Sequence, residues 1–177
     1  PGQAYGYVVR SPHAKARIIS IDTASALAAN GVLAIYTGAD IEAAGYGKVP
    51  PMAIRKRADG SEMFIPPNVP LRQELVQYVG DYVAFVLAES HDQARDAAEL
   101  VAVEYEELPS VTATADVLST SAPSVWEEAS DNVCFVHEEG DKAAVEAAIA
   151  EAPHVTTLEL EITRVAVAPM EPRACTG

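Results

Sequence analysis

The chain has little from which to build a metal or disulfide framework: two cysteines, Cys134 and Cys175, in 177 residues. They lie far apart, and neither is surrounded by the three further Cys or His residues at ligand spacing that a zinc site needs. That argues against a zinc site or a disulfide scaffold and leaves reduced thiols in a cytoplasmic protein as the expectation. Basic residues are scarce as well. Twelve Lys+Arg stand against 26 Asp+Glu, a net charge of −14, and a surface of that sign repels nucleic-acid phosphate and anionic lipid. No apolar run approaches the ~20 residues of a membrane helix, so no membrane insertion is expected. The opening PGQAYGYVVR lacks the charged-then-apolar order of a signal peptide. It also lacks an initiator Met, so a cut or processed N-terminus is expected. Also missing are a phosphate-cradling glycine loop, a Walker lysine, a dinucleotide fingerprint and a G-x-S-x-G elbow.

What is present suffices for a core: 49% of the residues are hydrophobic, against the low hydrophobicity of disordered chains. Charge is uneven. Residues 1–72 hold 8 Lys+Arg and 5 Asp+Glu, and residues 73–177 hold 4 and 21.

Residues 4–10 and 16–21 are rich in β-branched and aromatic residues and predict two strands, with the turn signal Ser11-Pro12 between them. Asp22 or Thr23 can cap a short helix over TASALAAN, and Gly31 sits where a helix terminator belongs. VLAIYTG, 32–38, predicts a buried strand. Residues 45–72, with five prolines and the run Arg55-Lys56-Arg57, predict an irregular excursion with a hairpin near Ala58-Asp59-Gly60.

DYVAFVLAES then predicts a strand buried on both faces. Ser90 to Gln93 fits a capping box, Ala94, Ala97, Ala98 and Val101 form one helical stripe, and Val103 and Tyr105 alternate as in a strand. Residues 112–131 are small and polar, as in a linker. NVCFVH (132–137) predicts a strand, Asp141 caps a helix over 142–152 with stripe Val145, Ala148, Ile149 and Ala152, and HVTTLELEIT predicts a long strand with Leu158, Leu160 and Ile162 on one face. That face is expected to pair with a second copy or to be covered by the helix 142–152.

Few residues suggest chemistry. His13 beside Ser11 is too close in sequence for nucleophile and base to come from separate elements, so the corner reads as a turn whose polar side chains hold backbone groups. Gly140-Asp141-Lys142-Ala143 has the tripeptide of a lipoylated or biotinylated lysine. The strongly helical residues after it make Asp141 an N-cap instead. The pairs Glu106-Glu107 and Glu138-Glu139 are adjacent and do not converge on one metal. No residue is assigned a catalytic, cofactor-binding or metal-ligating role.

Several separated blocks carry a resemblance. Arg10 to Ala14, Ala16 to Ile18, Asp22, Gly31-Val32 and Thr37-Gly38-Ala39-Asp40 resemble the opening of the large, molybdenum-binding chain of the xanthine dehydrogenase and aldehyde oxidase family, and most of all its bacterial carbon monoxide dehydrogenase-like members. "VQYVGDYVAFVLAESHDQARDAAELVAVEYEELPSV" resembles the family's second block. Gly140-Asp141 and "RVAVAPMEPRA" are similar to the start of its cofactor domain. Lys15 stands where many members carry a second His. Glu171 matches a family motif but is not taken as the catalytic base.

The resemblance implies an α+β architecture: an α/β hammerhead domain over 1–118, a linker over 119–131 and the truncated start of a molybdopterin-binding domain over 132–177. It implies a fragment of a molybdenum hydroxylase large subunit, with the hammerhead structural and interfacial rather than catalytic, and inactive alone. No cofactor is expected in these residues. The parent is expected to hold molybdopterin with its molybdenum, with FAD and iron-sulfur clusters in an FAD-binding medium subunit and an iron-sulfur small subunit, and to be a homo-oligomer. In that family the substrate takes its oxygen from water. A carrier module modified on Lys142 and a free-standing docking domain are the other readings.

Overall fold

The apolar-on-both-faces pattern of residues 82–88 is explained by position: this strand lies at the centre of a sheet covered on two sides. The computed structural model describes residues 2–57, 59–162 and 170. In the first of two compact units, residues 1–137, one antiparallel sheet has the order β1-β5-β3, from Tyr5–Arg10, Tyr82–Ala88 and Val32–Thr37. The second has the order β4-β2-β6, from Leu75–Val76, Ala16–Asp22 and Ala102–Glu107. Helix α1 is Ala24–Leu27, α2 is Gly38–Ala43 and α3 is His91–Glu99.

Side chains alternate across β5. Ala84 and Val86 face the α3 stripe, where Ala97, Ala98 and Val101 are buried with them. Val83 faces the other way and packs with Ala16, Ile18 and Val76 of the second sheet. Alanine on the helix lets it approach the sheet closely.

The caps follow the sequence. The Ser90 hydroxyl accepts from Gln93 N–H (3.3 Å) and donates to Gln93 Oε1 (2.9 Å). Of the two residues that could cap α1, Asp22 does so, accepting from Ala24 N–H at 2.9 Å. The helix is one turn rather than the eight residues expected, and Gly31, at φ 79°, turns the chain into β3. That strand stops at Thr37 because α2 begins there. Asp40 accepts from both Thr37 N–H (2.7 Å) and Thr37 Oγ1–H (2.8 Å), and these bonds hold its carboxyl below the usual carboxylate range.

In the excursion, Lys56 bridges Glu62 across a turn in which Asp59 Oδ1 accepts from Ser61 N–H and Oγ–H. Residues 112–131, the stretch that composition marks as a linker, lie in this first unit. They include a 3₁₀ turn, Glu127–Ala129, with Ala129 buried. The stretch is tied down by Asn132, whose amide donates to Val117 and Pro123 carbonyls and accepts from Val125 N–H.

Two expected strands do not form among the described residues. Over 132–137 the backbone is engaged singly, Val133 O by Arg57 and Cys134 O by Phe64 N–H, which leaves no ladder. In the second unit, residues 138–177, helix α4 is Lys142–Glu151, capped by Asp141 accepting from Ala144 N–H at 3.0 Å. Residues 154–162 lie in no strand, because a strand is stable only with a partner to take its backbone groups. Nor does α4 cover their apolar face. Leu158, Leu160 and Ile162 are 72–87% exposed, and Val145 and Ile149 are exposed as well. Glu171, Cys175 and residues 163–168 lie outside the described residues.

Candidate functional site

The polar groups of the chain concentrate where the Arg-Ser-Pro-His-Ala corner meets the loop before β5. Proline at position 12 fixes the corner, and Ser11 is 2% exposed inside it. Its backbone is clasped on both sides: Ser11 N–H donates to Asp81 O (2.9 Å) and Gly80 N–H donates to Ser11 O (2.7 Å). Its hydroxyl accepts from His13 N–H at 3.1 Å, the job a serine performs in a turn.

The His13 ring is engaged by β6. Nδ1 lies 2.8 Å from Glu107 Oε1, and the ring leans on Tyr105 with centroids 4.8 Å apart. The structure therefore joins His13 to β6 rather than to a nucleophile. Burial pushes the Tyr105 phenol up, and its hydrogen bond with Ser11 pulls the other way. Arg10 donates to Gly80 O at 3.2 Å and lies over the Tyr82 ring. Lys15 donates to Ser124 O at 2.7 Å.

Beside the corner lies a buried ion pair that the sequence patterns do not single out. Arg72 Nε donates to Asp81 Oδ2 at 2.8 Å, and the two residues are 8% and 3% exposed. Asp81 accepts two further N–H groups, from Gln77 (3.0 Å) and Tyr82 (3.2 Å). Arg72 also donates to Pro67 O (3.0 Å), and its guanidinium lies over the Trp126 ring. Gly38 leaves room here, since a Cβ would meet the Arg72 carbonyl at 2.8 Å. Burial, and after it the Asp81 carboxylate, pushes the Tyr78 phenol up. One clue was legible: an Asp directly after Gly80 and before an all-apolar strand must be paired or capped to be buried there.

The other candidates stay apart. Glu106 pairs with Arg17 at 3.0 Å and Glu107 with His13, so the adjacent acids serve separate partners. Lys142 opens α4 and lies 3.8 Å from Glu138, in a helix rather than on the hairpin tip a carrier lysine needs. Cys134 is half-buried and free. Among the described residues no three His, Cys, Asp or Glu side chains converge on a metal-sized position, and no helix is long and apolar enough to cross a membrane.

Residues 1–109 match the family model described as aldehyde oxidase and xanthine dehydrogenase, a/b hammerhead domain. The chain is 34% identical to the carbon monoxide dehydrogenase large chain of Afipia carboxidovorans, over 99% of this chain and 22% of that one. It is 36% identical to the nicotine 6-hydroxylase large subunit of Paenarthrobacter nicotinovorans, over 98% of this chain and 20% of that one. The crystal structure of a Cu,Mo-CO dehydrogenase superposes with a TM-score of 0.68 at 34% identity, over 87% of this chain and 20% of that one. The chain thus spans about a fifth of the length of these relatives.

Proposed function

The chain belongs to the aldehyde oxidase and xanthine dehydrogenase hammerhead family, and from that membership we propose that it is a scaffolding portion of the large subunit of a molybdenum hydroxylase. The observation that carries this reading is the alignment of nearly the whole chain with about a fifth of large chains that are named as oxidoreductase subunits. In this reading the hammerhead is residues 1–118, residues 119–131 connect, and residues 132–177 open the molybdopterin domain. The protein works in the cytoplasm.

The residues of the corner and clasp fit a structural role. Ser11, Arg72 and Asp81 are engaged with backbone or with one another. They do not fit the pterin or its metal. No metal-binding group converges among the described residues, and Gly45, Gly47, Gly60, Gly80 and Gly140 face open space rather than a close cradle. In this reading molybdopterin is held by other parts of the large subunit, and FAD and iron-sulfur clusters by a medium and a small partner subunit. No catalytic step is placed on this chain.

Elemental analysis tests the reading. The full reading frame that contains this segment, purified with its companion chains, is expected to hold stoichiometric molybdenum, and the 177-residue chain alone none. Molybdenum missing from the full protein, or stoichiometric in the short chain, would overturn it.

A further inference from the structure

The turn between α1 and β3 carries Asn30-Gly31, the one place in the sequence where an asparagine precedes a glycine. Asn30 is exposed. It lies past the end of α1 and short of Val32, so neither a helix nor a ladder holds it. The peptide unit that joins the two residues is free on both sides: neither Asn30 C=O nor Gly31 N–H makes a hydrogen bond among the described residues. Only the flanks are tied, Ala29 O by Val32 N–H (3.3 Å) and Gly31 O by Glu89 N–H (2.8 Å).

An exposed side-chain amide thus stands next to a backbone nitrogen that no Cβ crowds and no acceptor restrains. The other two asparagines lack this setting. Asn68 and Asn132 each precede a valine, whose branched Cβ crowds the following nitrogen. The Asn132 amide is also occupied by Val117, Pro123 and Val125.

We propose that Asn30 is a site of spontaneous deamidation, with water as the only co-reactant. Base removes the Gly31 N–H proton, and the nitrogen bonds to Asn30 Cγ. The Cγ–Nδ2 bond breaks, and ammonia leaves with a proton from solvent. Water then opens the five-membered ring at either carbonyl, giving aspartate or isoaspartate, and nothing is oxidised or reduced. Both products put a carboxylate where the neutral amide was. Isoaspartate also lengthens the main chain by one carbon between Ala29 and Gly31, whose carbonyls anchor the turn into β3. The site does not depend on the proposed function.

The folded chain is incubated in mildly alkaline buffer, and its peptides are mapped by mass spectrometry. The peptide that holds residue 30 is expected to gain about 1 Da and to resolve into two products. Its conversion is expected to be at least about tenfold faster than any at Asn68 or Asn132, because glycine leaves the attacking nitrogen open and valine does not. The rate is expected to rise with pH, as attack by a deprotonated nitrogen requires. No conversion at Asn30, equal conversion at the three asparagines, or a rate that falls with pH would overturn the site. The converted chain is expected to unfold at a lower urea concentration than the fresh one. Asn30→Gln, which has a larger ring to close, is expected to keep its midpoint through the same incubation. Conversion with an unchanged midpoint would overturn the effect on the turn, and an equal loss in Asn30→Gln would overturn its assignment to this residue.

Discussion

Asp81 holds more of the fold together than any residue that drew notice as sequence. It takes three donors with its carboxylate and a fourth, Ser11 N–H, with its carbonyl. Removing one partner of a buried pair leaves the other charge unanswered, so Asp81→Ala is expected to cost about 3–5 kcal/mol. Urea melts of the variant check this. A loss under 1 kcal/mol, the ceiling for an exposed pair, would show that the clasp is not buried in solution. Asp40 gives a pH signature. The bonds from Thr37 depress its folded pKa below the ordinary carboxylate value, so its contribution is complete above that ordinary value and disappears as pH falls through the lower folded pKa. Asp40→Ala is expected to lose about 0.5–1 kcal/mol at pH 7, at the low end for capping because the carboxyl is exposed. The gap to the parent chain should narrow toward pH 3. A gap of constant size across pH 3–7 would contradict the capping role.

At the scale of elements, what could be read in the sequence was whatever rests on local periodicity. The α3 stripe, the Ser90 cap and the doubly buried β5 all have their cause within a dozen residues, and all form as read. Residues 132–137 and 154–162 have equally strand-like composition, but pairing depends on a distant partner, and among the described residues none is in register. The sequence hinted that Asp81 must be paired, but its partner was illegible for the same reason: nothing in either local pattern says that a loop residue nine positions earlier folds back onto the aspartate. Amides of 154–162 are therefore expected to exchange with solvent near the unprotected rate while those of β5 are protected, as hydrogen exchange can show. Protection in 154–162 equal to that in β5 would reveal a partner. Gly31 tests the turn into β3. At φ 79° an added Cβ is strained, and it would press on Gln93, whose Oε1 takes the Ser90 hydroxyl. Gly31→Ala is expected to cost about 1–2 kcal/mol in thermal or urea unfolding, more than a surface glycine without that neighbour.

At the scale of the whole molecule, the proposed function makes this chain a part of the architecture of an enzyme whose chemistry lies elsewhere. A polar corner so rich in Ser, His, Lys and Arg invites a catalytic reading, but its geometry leaves His13 against Glu107 and Tyr105, and its serine bonded to backbone and to the Tyr105 phenol. Under the proposed function, that distinction is measured in the full enzyme that would contain this chain. The decisive quantity is turnover per bound molybdenum in the His13→Ala variant. The account predicts a value within about twofold of the parent enzyme, with any loss confined to yield or stability. A fall of about a hundredfold or more in a folded, molybdenum-loaded variant, the range lost with a general acid or base, would contradict it.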